Sequence, residues 1–264
     1  MIDSLVEKLE KKVVLADGAM GTYFSQKYMT EMEAEEANIA TPERIIAIHK
    51  EYIEAGAELI RTNTFAVNHG LFAEAERRKE VIEAAVANAR EAVRQSRKEV
   101  VVAGSVGPIR QSAEEEDGEI WKEYTQMLDV FYTLGIRVFL FETFSELRWL
   151  PKLAKYCKNK EEQTVVIAEL ALNPMGYTQH GFGMTEILQE LTSDVNFDIV
   201  GFNCGVGALH MKKLLQSQKF PKEFLLSVFP NAGYQQEMQG RTLVFHDTAY
   251  YACLLYTSPS PRDI

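Results

Sequence analysis

Cysteine is scarce: Cys157, Cys204 and Cys253 are the three in a chain of 264 residues. That is too few for a disulfide framework at this length. Long apolar runs are missing, and none approaches the roughly 20 residues that a membrane span requires. Basic charge is in deficit, with 28 lysines and arginines against 38 acidic residues and a net charge of −10. A nucleic-acid partner needs a basic face, and none stands out. Residues 1–12 alternate charge with leucine and valine and lack the apolar centre of a signal peptide. The expectation is therefore a cytoplasmic protein with neither a nucleic-acid nor a membrane partner. Disorder is excluded over most of the chain, because 46% hydrophobic and 25% charged residues are ordinary values for a globular protein.

What is present is alternating strand and helix. Runs rich in branched apolar residues predict strands at 13–17, 59–63, 100–105, 138–142, 165–170, 199–203 and 225–229. They are apolar nearly throughout, as expected for parallel strands covered on both faces. Among the helices between them, residues 41–56 read most clearly. Thr41 can cap, Pro42 suits the first helical position, Glu43 complements the dipole, and Ile45, Ile48, Tyr52 and Ile53 share a face up to Gly56. A longer helical stretch runs over about 72–97 and can be one helix or two.

The strand starts recur at about 35 residues, the length of a βα unit. An eighth strand at that spacing would begin near position 260, where the sequence stops. The expected fold is thus α/β, a TIM-like (β/α)8 barrel over residues 1–253 lacking its last strand–helix unit. A doubly wound sheet would carry a glycine-rich phosphate turn after its first strand, which Asp17-Gly18-Ala19-Met20-Gly21 matches only loosely. Residues 245–252 begin like a helix with Asp247 as a cap. In 254–264, Pro259 and Pro261 forbid a regular element. This tail reads as foreign sequence or a frayed end.

In such a barrel the C-terminal strand ends build the active site. The first end, Asp17-Gly18-Ala19-Met20-Gly21-Thr22, can bring backbone N–H groups close to an anion. The second is the polar cluster Arg61-Thr62-Asn63-Thr64-Phe65. The third, Gly104-Ser105-Val106-Gly107-Pro108, reads better as a structural turn. The fourth, Phe141-Glu142-Thr143, puts a carboxylate after four apolar residues, suited either to an ammonium group or to pairing with a barrel arginine such as Arg61. The sixth, Gly201-Phe202-Asn203-Cys204-Gly205, exposes a thiol to the site, whereas Cys157 on its helix reads as structural. The seventh is Pro230-Asn231-Ala232-Gly233.

Five of these segments, all but the third, stand in the order found in homocysteine S-methyltransferase domains, and the chain resembles that family over about residues 10–250. It is most similar to the homocysteine-binding domain of cobalamin-dependent methionine synthases, or of fusions with methylenetetrahydrofolate reductase. The resemblance implies zinc-dependent methyl transfer to the thiol of homocysteine, giving methionine. Zinc held by three cysteine thiolates takes the substrate sulfur as fourth ligand and deprotonates a thiol whose free pKa is about 8.5. By the same resemblance, the turn at Asp17 with the backbone of Gly18, Ala19 and Met20 holds the substrate carboxylate, and Glu142 its ammonium. Cys204 is a zinc ligand, Asn231 faces the open zinc position, and Asn63 lines the pocket. The methyl donor is open; methylcobalamin or methyltetrahydrofolate on another module, S-methylmethionine and betaine all serve in the family.

One departure matters. The family's other two thiolates come from an adjacent cysteine pair after two glycines, and no Gly-Gly-Cys-Cys occurs here. One thiolate cannot close a three-sulfur site, and none of the five histidines forms a clear metal pair with Cys204. The alternative is an inactive fragment that binds an amino acid weakly. An aldolase-like barrel is more distant, since no lysine ends a strand to form a Schiff base.

Overall fold

The computed structural model describes residues 3–220, 225–238, 241–245 and 249. The chain divides into two compact units, residues 1–142 with 152–166, and residues 143–151 with 167–264.

The first unit opens with helices α1 (Asp3–Lys11), α2 (Gly21–Tyr28), α3 (Ala37–Ala40) and α4 (Pro42–Glu54). Strand β1 (Leu59–Arg61), the long helix α5 (Ala75–Ser96), β2 (Val101–Val106) and α6 (Asp117–Thr133) follow. Strand β3 (Val138–Phe144) belongs to this unit through Glu142, α7 (Leu150–Lys160) from Lys152, and β4 (Val165–Leu170) through Val166. Strands β1, β2 and β3 pair in parallel, Leu59 with Val101 and Gly104 with Phe139. The N–H of Val165 donates to the Arg137 carbonyl at 2.9 Å, which sets the start of β4.

Helix α4 forms as its sequence dictates. Pro42 stands in the first turn, Glu43 faces the helix dipole, and Ile45, Ile48 and Ile53 are fully buried. Burying each such side chain contributes about 1.5–3 kcal/mol. Ile53 packs with Ala57, Ile60, Ala89 and Ala92, joining α4, β1 and α5 in one apolar cluster. Thr41 occupies the cap position, but its hydroxyl makes no cap bond and is buried without a partner. The stretch expected over 72–97 is one unbroken helix, closed at Arg97 in the left-handed conformation (φ 55°).

The expected first strand, 13–17, does not form. A parallel bridge joins Ala16 to Leu59, and Asp17 N–H donates to the Leu59 carbonyl at 3.0 Å. Val13 and Leu15 remain 77% and 55% exposed. Among the described residues this segment pairs on one side only, and it lacks the two-sided ladder and cover that sustain an inner strand.

The second unit holds the end of β3, the rest of β4, α8 (Met184–Ser193), β5 (Ile199–Gly207), α9 (Ala208–Gln216) and β6 (Leu226–Asn231). Strands β4, β5 and β6 pair in parallel, Ile167 with Ile199 and Val200 with Leu226. Strand β4 is buried at every position, so the uniform apolar pattern was the right signal. Strand order follows chain order from β1 to β6. That is the order of successive βα units in part of a TIM-like barrel, not of a doubly wound sheet, in which it reverses.

A hairpin of β7 (Tyr234–Met238) and β8 (Arg241–Phe245) was not expected. Its first strand, Tyr234-Gln235-Gln236-Glu237-Met238, has little branched or apolar character, and Gln239-Gly240 is not one of the usual two-residue hairpin dipeptides, so the sequence carries no strong hairpin signal. Phe245 closes β8, and the rest of the expected helix 245–252 lies outside the described residues apart from Ala249. Cys253 and the 254–264 tail lie outside them as well. Among the described residues, no helix is long and apolar enough to cross a membrane.

Candidate active site

In the first unit the strand ends carry a buried ion cluster. Arg61, last residue of β1, donates from Nε to Asp17 Oδ1 at 2.7 Å and from its backbone N–H to Asp17 Oδ2 at 2.9 Å. Its two terminal nitrogens reach Glu142 Oε2 at 2.6 Å and the Gly18 carbonyl at 2.7 Å. Glu142 takes a second hydrogen bond, from Ser105 Oγ at 2.5 Å. Ser105 is fixed in turn: its N–H donates to Thr62 Oγ1, and its carbonyl accepts from Thr64 Oγ1. Asp17, Glu142 and Ser105 are all buried. Burial pushes the Asp17 carboxyl up, against the opposing pull of the Arg61 guanidinium and its N–H bonds. Glu35 is buried nearby and also raised, by burial first and by the Glu33 and Glu142 charges besides.

The turn after Asp17 is held from outside by α4. Tyr52 Oη donates to the Ala19 carbonyl at 2.9 Å. A Cβ on Gly18 would sit 2.9 Å from the Tyr52 hydroxyl oxygen, so any larger residue here must displace the Tyr52 ring. Met20 stands at the N-cap of α2 and packs with Phe24 and Ile45. Among the described residues, no group accepts a hydrogen bond from the N–H of Gly18, Ala19 or Met20. Free donors at a helix start suit an anion.

In the second unit the site chemistry is neutral and the backbone is strained. Asn203, almost fully buried, accepts the Thr143 N–H at 3.0 Å and donates from Nδ2 to Thr143 Oγ1 at 2.7 Å. Its Nδ2 also lies 3.6 Å from Cys204 Sγ, and Thr143 Oγ1 lies 3.8 Å from it. Thr143 (φ 63°) and Cys204 (φ 54°) are both left-handed. For a β-branched threonine this is a genuine outlier, of the kind held at functional sites at about 1–3 kcal/mol. The β5–β6 register breaks between Asn203 and Gly207, a bulge that re-aims Cys204. Gly205 follows at φ 68°, where a Cβ would lie 2.1 Å from the Leu172 carbonyl, so no other residue fits.

The residues expected at the site are thus brought together in part. Asp17, Gly18 and Glu142 meet through Arg61. Ser105, first read as part of a structural turn, is a direct partner of Glu142. Asn63 has other partners: its Nδ2 donates to the Ala34 carbonyl at 2.5 Å and to Asn38 Oδ1 at 3.2 Å, bracing the segment before α3. Asn231 is exposed at the end of β6, opposite Gly207. Cys204 is half-buried, whereas Cys157 is fully buried on α7 and burial pushes its thiol up to about 12, as befits a structural cysteine. Signals for the missed residues were faint. Ser105 is the one hydroxyl in the otherwise apolar and glycine run of β2, two residues before Gly107-Pro108, and Asn203 directly precedes the thiol.

The homocysteine S-methyltransferase family profile matches residues 14–253. The chain belongs to that family. It is 28% identical to a methionine synthase of Mycobacterium tuberculosis over 252 residues and 26% identical to that of Mycobacterium leprae over 250, each match covering 87% of this chain. It spans about one fifth of the length of both, 21%. Betaine–homocysteine S-methyltransferase 1 of Danio rerio is 26% identical over 221 residues, 80% of this chain and 51% of that one. In structure the chain resembles the homocysteine methyltransferase MmuM of Escherichia coli in its metallated form, with a TM-score of 0.71 at 20% identity over 86% of each chain. That likeness establishes the shared fold.

Among the described residues, no three His, Cys, Asp or Glu side chains are grouped to hold a metal ion. Cys204 is the one half-buried thiol among them. These residues do not fit a zinc centre of three thiolates.

Proposed function

We propose that this chain captures homocysteine as the methyl acceptor of a reaction that yields methionine. One observation carries the reading: within a chain of this family, an acidic cluster stands beside a turn of free backbone donors. Asp17 and Glu142 set two carboxylates against one guanidinium, so a cation is welcome at Glu142. The N–H groups of Gly18, Ala19 and Met20 suit a carboxylate. Together they complement the two charges of an α-amino acid.

A second reading, an amino-acid-binding module without turnover, is favoured by the absence of a metal-holding group among the described residues. The two separate in one experiment. Titration calorimetry of the 264-residue chain with L-homocysteine should show binding that Glu142→Gln weakens at least roughly 10-fold, the value of one charge-assisted hydrogen bond. Methionine formation is then assayed with methylcobalamin, methyltetrahydrofolate, S-methylmethionine and betaine in turn. Binding with turnover supports the transferase, and binding without turnover supports the module. No binding of homocysteine refutes both.

A further inference from the structure

Pairing between Glu142 and Arg61 looks at first like a competitor to ammonium binding, because an arginine already occupies the carboxylate. The two groups do not compete. A carboxylate has about four lone-pair sites, and among the described residues Glu142 accepts from Arg61 at one oxygen and from Ser105 at the other. Acceptor capacity remains at both oxygens.

The guanidinium touches more than Glu142. Its other terminal nitrogen holds the Gly18 carbonyl, the first peptide oxygen of the donor turn, while Nε is anchored on Asp17. One rigid planar group therefore spans the proposed ammonium acceptor and the proposed carboxylate donors. Arginine suits this task because its donors diverge from a fixed fork, whereas lysine is a flexible point charge. Tyr52 fixes the far side of the same turn through the Ala19 carbonyl, which leaves Arg61 to set the near side.

We propose that Arg61 is a positioning residue that sets the spacing between the ammonium-binding and carboxylate-binding ends of the site, and so makes the site selective for an intact α-amino acid. It rests on the function proposed above and goes beyond it. Arg61 does not touch the substrate. It couples two groups that do.

Coupling has a signature that general structural support lacks. A ligand that uses both ends needs their spacing, and a ligand that uses one end does not. The full chain and its Arg61→Lys variant are titrated with L-homocysteine, with 4-sulfanylbutanoate, which lacks the amino group, and with 3-aminopropane-1-thiol, which lacks the carboxylate. In the variant, homocysteine affinity should fall roughly 10- to 100-fold, the range of one or two charge-assisted hydrogen bonds. The two analogues should bind as they do to the parent, within about threefold, so selectivity for the intact amino acid collapses. Equal loss for all three ligands would mean a merely structural role and would overturn the proposal, as would unchanged homocysteine affinity. A second measurement needs no variant. The Arg61 Nε–H resonance of the 15N-labelled parent chain should keep its position and slow solvent exchange when homocysteine saturates the site. A large shift or fast exchange would show that Arg61 swings onto the ligand, which also overturns it. If the parent chain does not bind homocysteine, the underlying function fails first, and that result is distinct from a parent that binds and a variant that is unaltered.

Discussion

Two strand-end clusters fix their side chains by opposite means. Around Arg61 the backbone is unstrained, and charge does the work: two buried carboxylates share one part-buried guanidinium in the first unit, each hydrogen-bonded. Around Asn203 in the second unit the described hydrogen bonds join neutral groups, an amide, a hydroxyl and a backbone N–H. There two left-handed non-glycine residues are held by one buried amide. Buried charge is tolerated only while every partner stays in place. Backbone strain is tolerated only while the surrounding bonds over-determine it. The first arrangement should be brittle to loss of a partner, and the second should gain when the strained residue itself is relaxed.

The largest effect is expected from Arg61→Met. It leaves Asp17 and Glu142 buried without their counter-charge, and breaking such a pair costs about 3–5 kcal/mol. Denaturant unfolding monitored by circular dichroism should show it. A loss below roughly 1 kcal/mol would place the cluster with exposed ion pairs and end the contrast.

His49 tests the rule that buried charge must be paired. It is fully buried on α4 with neither ring nitrogen bonded, and burial, with the Arg61 charge adding, lowers its pKa from 6.5 to about 4. The unfolded chain therefore binds more protons between those values, and stability must fall as pH falls. The loss amounts to about 3 kcal/mol, beginning below about pH 6.5 and complete below about pH 4. His49→Leu should flatten the pH dependence of the melting temperature across that window relative to the parent. An unchanged slope would show that the histidine finds a proton acceptor.

Asn203→Ala should cost about 2 kcal/mol, since it strips the Thr143 N–H and hydroxyl of their partner. It should also speed alkylation of Cys204, read by peptide mapping, while Cys157 stays protected. The smallest effect separates strain from contact. Cys204→Gly should be more stable than Cys204→Ala by about 1 kcal/mol, because glycine adopts positive φ without penalty. Equal stabilities would remove strain from the description of this cluster.

Much of this was readable in advance. Strands β1 to β6 each fall within a few residues of an apolar run, because a strand covered on both faces must be apolar throughout. Helix α4 was legible from Thr41 to Gly56 through its period and proline, although the Thr41 hydroxyl does not cap. The segment 13–17 has the same composition as the true strands and was misread, since composition does not report whether a second neighbour exists. The hairpin of β7 and β8 is not legible, because Tyr234–Met238 is mostly polar and Gln239-Gly240 is not a usual hairpin dipeptide. Among site residues, Glu142 and Cys204 stood out by contrast with their apolar or glycine neighbours. Ser105 did not, because a serine two residues before Gly-Pro reads as the start of a turn.

The sequence by itself determined the alternation of strand and helix, the order of the strand-end motifs and hence the homocysteine S-methyltransferase family. Those properties are local: a period of two or 3.6 residues, or a motif of five, needs no distant partner to be recognised. Only the tertiary structure decided what each polar side chain does. Asp17 and Arg61 are 44 residues apart, Arg61 and Glu142 are 81, and Thr143 and Asn203 are 60. Hydrogen bonds of 2.6–3.0 Å across such separations exist only once the sheet has brought the strand ends side by side. A residue's type announces what it can bond, and the fold chooses the partner.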